Sequence, residues 1–433
     1  MNKLILKSIL ADQILGLLQE GDPIIPRTQS LMPHLKEREI TIITGVRRCG
    51  KSSLIREFAK TLPDAKKIIY LNFDDPRLIE FKSPDFEHLY DIWLEADPYG
   101  GKKVAIFDEI QNIQGWERWM NFFSEQKNFK VYITGSNSKL LSSELATHLT
   151  GRHRDIVLYP LSFKEILLHG NPEIAKQAAD PKQTLASKQK AVLRNIFDQY
   201  FKYGGFPRVW QSQDRALLGE YYNDILYRDI VRRYRLRQSQ LIASFGASMM
   251  SDLGRKINKT KMAKTLGIKE ANTINKYLGF FSECYLGQEI RKFDTSIRKQ
   301  MRSLSKFYAI DPVLAQRIGI HTESKNAFYL ENFVFTELLR DQAKIYYWQE
   351  DDSSEIDFVV ETREGKRHLV QVAWSIDNQE TLDRELRGFE HFKNRFPRIK
   401  IHQKLIITVD ENLRAELPPD VTTVTFQRWA LNH

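Results

Sequence analysis

Gly45-Val46-Arg47-Arg48-Cys49-Gly50-Lys51-Ser52 fits G-x-x-x-x-G-K-[ST], and no other stretch constrains the fold of this chain so tightly. The apolar run Ile40-Thr41-Ile42-Ile43-Thr44 precedes it, and the helix-like Ser53-Leu54-Ile55-Arg56-Glu57-Phe58 follows. A loop that closes on the start of a helix leaves several backbone N–H groups without helical acceptors. Glycines let that backbone curl around phosphate oxygens without Cβ clashes. Gly45 through Ser53 would then cradle the phosphates of a nucleotide, Lys51 would reach the β/γ-phosphates, and Ser52 would ligate Mg²⁺. A chance glycine-rich turn before a basic helix is the bland alternative, and it does not explain strand, loop, lysine, hydroxyl and helix in the required order.

Lys103-Val104-Ala105-Ile106-Phe107-Asp108-Glu109 is a second, nearly independent signal. It has the form of a buried parallel strand whose carboxyl end meets a ligand. Asp108 is expected to hold the Mg²⁺ shell. Glu109, pointing differently off the strand end, is expected to take the proton of a water attacking the γ-phosphate. A solvated strand cap is what an Asp-Glu pair would be without the upstream loop.

At 433 residues the chain has length for roughly two to four domains with sizeable cores. Its formal net charge of +10 permits nucleic-acid contact, although surplus lysine also serves solubility. No apolar stretch approaches a membrane span, and Met1–Lys7 has too brief an apolar core for a signal peptide, so a cytoplasmic protein is expected. Cys49 and Cys284 are the two cysteines; they offer neither a disulfide framework nor a Cys/His metal cluster. Cys49 reads as a small loop residue, with an oxidisable thiol beside a helix start as the side reading.

Residues up to about 165 alternate strands and helices. After the phosphate loop come Lys67–Phe73, Lys103–Glu109, Lys130–Asn137 and Arg154–Leu158, which predicts an α/β domain with a parallel P-loop NTPase sheet. Ser136 and Asn137, at a strand's carboxyl edge, are expected to touch the γ-phosphate or orient the water; a turn and helix cap is the alternative. Arg152, in Gly151-Arg152-His153-Arg154, could stabilise charge on the transferred phosphoryl within the chain or across an oligomer interface, and a basic surface loop is the alternative.

Residues 166–325 turn helical and basic. Tyr221–Arg233 has apolar residues at helical spacing with charges between them. Lys261–Ile268 and Ala271–Leu278 predict two short helices joined near Gly267, the second offering Asn272, Asn275 and Lys276 outward, with wing strands at Leu286–Ile290 and Lys306–Ile310. Such a winged helix-turn-helix contacts DNA or RNA in some proteins and serves as a lid or a protein contact in others.

Residues 326–433 begin with a helix at Leu330–Leu339. Strands are expected at Ile345–Trp348, Glu355–Val360 and His368–Trp374, then a helix at Glu380–Phe392 and a strand at Lys404–Val409. Glu331, Asp357 and the strand at Gln371 have the order of a metal-dependent nuclease site of the restriction-endonuclease type, in which a lysine follows the second strand acid by two residues. Gln371 and Ala373 stand at those last two positions. An amide weakens a hard-cation site and alanine offers no charge, so a small α/β endonuclease-like domain with its cleavage chemistry lost is expected.

Taken together, these segments resemble a large prokaryotic group of AAA-type ATPases that join an N-terminal P-loop domain to a winged-helix region and a C-terminal endonuclease-like domain of unknown function. The matching pieces are Thr44–Ser53, Phe107–Ile110, Thr134–Asn137, Gly151-Arg152, Pro160–Phe163, Tyr203–Pro207, Asp311-Pro312, Glu331-Asn332 and Glu355–Phe358, spread over nearly the whole chain. The resemblance implies ATP binding and hydrolysis, with ATP and Mg²⁺ as cofactors. It also implies that Ile24-Ile25-Pro26-Arg27 lines the adenine pocket, with a plain linker as the equal alternative. Gln371 and Ala373 depart from the nuclease pattern without departing from the group. Tyr203–Pro207 reads as a structural turn.

The reading that best unites these features is an ATP-driven switch whose nucleotide state controls binding of nucleic acid or a protein partner, with no membrane role and an oligomer left open. The alternatives are an ATP-regulated nuclease, which Gln371 and Ala373 oppose, and a nucleotide-binding scaffold with negligible turnover, which Asp108-Glu109 opposes.

Overall fold

The computed structural model describes all residues except 20, 22, 63, 65–66, 97–102, 127, 139–152, 181, 321–325, 352–353, 410–416 and 433. The chain forms two compact units, Met1–Tyr159 with Glu283–Tyr285, and Pro160–Ser282 with Leu286–His433.

In the first unit, strands β1 (Ile40–Thr44), β2 (Ile68–Asn72), β3 (Lys103–Asp108), β4 (Phe129–Gly135) and β5 (His153–Val157) form a sheet in the order β2-β3-β4-β1-β5. Every pair is parallel. β1, β3 and β4 are buried along their whole length, as expected of parallel strands that lose both faces to helices. Helices α1 (Lys3–Leu18), α2 (Lys51–Thr61), α3 (Asp85–Ala96) and α4 (Trp116–Glu125) accompany the sheet. Trp116, Met120 and Phe123 recur at helical spacing on α4, so a single face enters a core with Leu6, Ile9, Phe86, Leu89, Phe107 and Ile133. With β4 lying between β1 and β3, the carboxyl ends of these three strands are neighbours. The phosphate loop, the Asp108-Glu109 pair and the polar end of β4 thereby meet at one edge of the sheet.

The second unit carries an eight-stranded sheet in the order β13-β12-β11-β10-β9-β7-β8-β6. Its strands are β6 (Lys256–Ile257), β7 (Gly287–Lys292), β8 (Ser305–Ala309), β9 (Lys344–Asp351), β10 (Ser354–Glu361), β11 (Arg367–Val372), β12 (Gln403–Thr408) and β13 (Val421–Thr425). The expected divide near residue 325 runs through this sheet: Arg291 pairs with Tyr346, and Lys292 with Tyr347, in a parallel ladder. Helices Lys259–Thr265 and Ala271–Glu283 flank Gly267, whose φ of 69° makes the turn. Asn272, Asn275 and Lys276 are exposed. The helix expected over Tyr221–Arg233 is α-helical only to Asn223 and continues as wider π-type turns over Asp224–Arg232. β13 was not anticipated, because Val421-Thr422-Thr423-Val424-Thr425 is short and mostly polar.

Tyr203–Pro207 is a turn held by a buried carboxylate. Asp311 accepts from the Gly205 amide at 2.7 Å, and a Cβ on Gly204 would lie 2.6 Å from the Asp311 oxygens.

Candidate functional site

The site is built on the turn from β1 into α2. Gly45 has φ 150° and Gly50 φ 103°, and a Cβ at Gly45 would stand 2.0 Å from the Leu158 carbonyl oxygen, so only glycine lets the chain leave the strand here. No side chain caps the start of α2, which leaves the N-terminal amides of the helix facing the loop. Lys51 is buried and curls back over the loop, its Nζ donating to the carbonyl oxygens of Gly45 at 3.0 Å and Val46 at 3.2 Å. Arg47 is half-buried and Arg48 exposed, with a left-handed φ of 70° at Arg48.

Cys49 is buried and its Sγ donates to the Leu158 carbonyl at 3.2 Å. Burial pushes its thiol up, against the pull of Lys51 and Arg27. This corrects the side reading of an oxidisable thiol, since the reactive species is the thiolate and access is closed. Arg27 donates to the carbonyl oxygens of Tyr159 at 2.5 Å and Cys49 at 3.4 Å, which ties the segment before β1 to the phosphate loop.

Three hydroxyls converge on Asp108. Ser52 Oγ donates to Oδ2 at 3.0 Å, the Tyr70 hydroxyl to the same oxygen at 3.1 Å, and Thr134 Oγ1 to Oδ1. Burial, then the charge of Asp108, holds the Tyr70 phenol well above its usual range, so it stays a donor. Thr134 also accepts from the Glu109 amide at 3.1 Å and so sets the direction in which the chain leaves β3. Glu109 has φ 55°, a left-handed conformation rare outside glycine that swings its side chain off the strand line. Its carboxylate accepts from Gln111. Desolvation raises the Glu109 carboxyl above its ordinary value, partly offset by Lys51 and reinforced by Asp108.

Lys51, Ser52, Asp108 and Glu109 are therefore held at one sheet edge. Ser136 and Asn137 follow β4 there and are buried, but Thr134 is the β4 residue that bonds to Asp108 and to the Glu109 amide. Arg152 lies outside the described residues. Sequence reasoning missed Tyr70 and Thr134. Their signal was a hydroxyl within the last three residues of a largely apolar strand. The donor set fits a nucleotide and its metal: backbone amides and an ammonium for phosphate, a hydroxyl and a carboxylate already in register for Mg²⁺.

The second unit brings together the other residues singled out. Glu331, Asp357 and Gln371 line a pocket of about 440 Å³ together with Lys306, Glu355, Glu385 and the basic side chains of Arg255, Lys256 and Arg384. Gln371 acts as a bracket: its Oε1 accepts from the Asp357 amide at 2.8 Å, and its Nε2 donates to the Glu355 carbonyl at 2.9 Å and to Glu385 Oε2 at 3.0 Å. Ala373 belongs to an apolar cluster with Ile376, Leu382 and Phe389, where a lysine would have no solvent. Lys306, Glu355 and Glu385 were not anticipated. For Lys306 the signal was a charge inside the wholly buried strand Ser305–Ala309.

No helix among the described residues is long and apolar enough to cross a membrane.

Three family models match the chain: an AAA domain over residues 37–167, and two domains of unknown function, DUF8612 over 194–324 and DUF4143 over 326–425. The uncharacterized protein MJ1544 of Methanocaldococcus jannaschii is 30% identical over 414 residues, covering 91% of this chain and 89% of that protein. An uncharacterized protein of Haemophilus influenzae is 31% identical over 385 residues, covering 84% of this chain and 89% of its own length. Among solved structures, the Aeropyrum pernix ORC1 protein in complex with DNA aligns at 12% identity over 73% of this chain and 90% of its own, with a TM-score of 0.29. The STAND-type signal transduction ATPase PH0952 of Pyrococcus horikoshii aligns at 13% identity over 74% of this chain and 45% of its own, with a TM-score of 0.27.

Proposed function

We propose, because the chain belongs to one family with the Methanocaldococcus and Haemophilus relatives and matches an AAA domain over residues 37–167, that it is a cytoplasmic Mg²⁺-dependent ATPase whose nucleotide state governs what its second unit binds. The observation that carries this reading is Asp108, which holds the Ser52 hydroxyl at 3.0 Å beside a phosphate loop whose lysine is already folded over it. Gly45 to Ser53 hold the phosphates, and Lys51 exchanges the Gly45 and Val46 carbonyls for phosphate oxygens. Ser52 and Asp108 would hold the metal. Bound Mg²⁺ would neutralise charge on the β- and γ-phosphate oxygens. Glu109, whose carboxyl is raised, accepts the proton of the attacking water, and Ser136 and Asn137 orient that water. Arg152 is assigned, from its sequence position, to the charge on the transferred phosphoryl.

The switch acts on nucleic acid or on a protein partner through the basic helical residues 166–325 and the endonuclease-like residues 326–433. The exposed Asn272, Asn275 and Lys276 favour contact with DNA or RNA through a winged helix, and the bracketing role of Gln371 favours a C-terminal module that does not cut. The test is ATP hydrolysis by the purified full chain with and without Mg²⁺, duplex DNA, RNA and cell lysate. Mg²⁺-dependent turnover that one of these additions changes severalfold is expected. ATP binding with no turnover under any condition would make the protein a nucleotide-bound scaffold instead.

A further inference from the structure

The antiparallel strands β7 and β8 of the second unit are joined through residues 293–304, and side-chain bonds hold this connection at both ends. Phe293 roots it in the apolar cluster of Trp348, Phe392 and Phe396, and the Phe293 amide donates to the Tyr347 carbonyl at 2.7 Å. Asp294 Oδ1 accepts from the Ser296 amide at 2.8 Å, which turns the chain into the short helix Ile297–Arg302. Gln300 Nε2 reaches back to the Asp294 carbonyl at 2.6 Å. The Tyr347 hydroxyl closes the far end by donating to the Leu304 carbonyl at 2.7 Å.

The helix so held buries none of its own residues. Propensity alone does not sustain a helix of this length, so the flanking bonds fix it and its apolar side chains add nothing to a core. Ile297 is 72% exposed, Met301 66% and the following Leu304 42%. Ile297 and Met301, four residues apart, form one ridge of the helix. Arg298 and Arg302, also four apart, form the ridge beside it, with Lys299 beyond, and all three cations are exposed. Asp294 is the one acid between residues 293 and 304. Single apolar side chains on a surface are ordinary. An apolar ridge laid along a cationic one, on a helix that buries nothing, is complementary to a polyanion that also admits apolar groups.

Two kinds of polyanion meet that description, and the size of the ridge chooses between them. A helix that lies in an anionic membrane surface draws its hold from apolar area spread over several turns, whereas Ile297–Arg302 makes less than two. A base step of duplex DNA is opened by one or two apolar side chains entering from the minor groove, with cations on the adjoining phosphates. Duplex RNA is recognised by shape and by its 2′-hydroxyls instead. We propose that the connection between β7 and β8 is a DNA wedge: Ile297 and Met301 enter between base pairs from the minor groove and kink the duplex, while Arg298, Lys299 and Arg302 grip the flanking phosphates. The inference rests on the reading that the second unit binds nucleic acid, and it names the element, the groove and the deformation.

The test titrates the full chain onto a short A·T-rich duplex with a dye at each end, so that energy transfer reports bending, and onto a second duplex whose central 2-aminopurines report unstacking. At saturation the parent is expected to shorten the end-to-end distance and to raise the 2-aminopurine fluorescence. Ile297→Ser with Met301→Ser is expected to keep the parental affinity within a few-fold and the parental salt slope while losing both signals. Replacing Arg298, Lys299 and Arg302 by Gln is expected to weaken binding and to flatten the salt slope by roughly one unit per lost phosphate contact. All five side chains are exposed, so both variants should melt as the parent does. A parent that binds no duplex even at low salt would sink the nucleic-acid reading and the wedge together. A parent that binds without bending or unstacking, or a folded Ile297→Ser, Met301→Ser protein that bends as the parent does, would overturn the wedge alone. Capture of the parent by phosphatidylserine vesicles but not by duplex would likewise overturn it and give the ridge to a membrane surface.

Discussion

The Tyr70 hydroxyl donates to Asp108 Oδ2 at 3.1 Å, onto the same oxygen that accepts from Ser52. Asp108 thus has a partner on the neighbouring strand β2 that does not belong to the phosphate loop. Partners of this kind orient a metal-binding carboxylate, and their loss typically costs about 10–100-fold in metal affinity. Tyr70→Phe is expected to raise the Mg²⁺ concentration for half-maximal ATPase activity about tenfold while leaving metal-free nucleotide binding unchanged. An unaltered Mg²⁺ titration would remove Tyr70 from the site.

Lys51→Ala and Glu109→Gln should separate binding from turnover. The first removes the ammonium that sits on the Gly45 and Val46 carbonyls, and ATP affinity is expected to fall beyond detection in equilibrium binding. The second keeps a side chain able to meet Gln111 but cannot take a proton, so binding persists and single-turnover hydrolysis drops by about 10²–10⁴. Hydrolysis at the parental rate in Glu109→Gln would exclude it as the base.

The raised Glu109 carboxyl has a sign in both rate and stability. A base must be ionised, so turnover should rise with pH through the elevated value, and the residual activity of Glu109→Gln should lack that limb. For stability, the folded chain keeps a proton that the unfolded chain releases. The contribution is therefore fully present below the unfolded carboxyl value and is lost as pH rises through the folded one. Urea unfolding at stepped pH should show the nucleotide-free protein losing stability across that window, with a shallower slope in Glu109→Gln.

Charge on the helical part of the second unit predicts salt-dependent binding. Lys276 and Arg232 are exposed, and Arg233 is half-buried with its Nη1 lacking a hydrogen-bond partner. DNA affinity should fall steeply with added salt, and neutralising these three should flatten the slope by roughly one unit per lost phosphate contact. Absence of binding even at low salt would direct the search to a protein partner.

Supercoiled plasmid, linear duplex, single strands and RNA should all survive incubation with the full chain and Mg²⁺ or Mn²⁺, with or without ATP. The amide of Gln371 is committed to Asp357, Glu355 and Glu385, and Ala373 sits in an apolar cluster. Nicking that Asp357→Ala abolishes but Glu109→Gln preserves would place an ATP-regulated nuclease first.

The phosphate loop, the acids after β3 and the alternation of the first 165 residues were legible in the sequence because their physics is local. A tight glycine turn, a helix start and a buried strand each involve residues that are near neighbours along the chain. Gly45, Gly50, Lys51, Ser52 and Asp108 could be named from spacing alone. The strand order β2-β3-β4-β1-β5, which makes Tyr70 and Thr134 partners of Asp108, could not, since pairing across a sheet is set by which apolar faces close one core. The second unit shows the same division more sharply. Glu331, Asp357, Gln371 and Ala373 marked the pocket by their order, but its charge balance rests on Lys306, 51 residues before Asp357 and on the far side of the divide expected at 325. Nothing near Lys306 in the chain explains a buried ammonium. Only the folded sheet, which brings β8 against the helix and strand that carry Glu331 and Glu355, supplies the negative charges that make its burial tolerable.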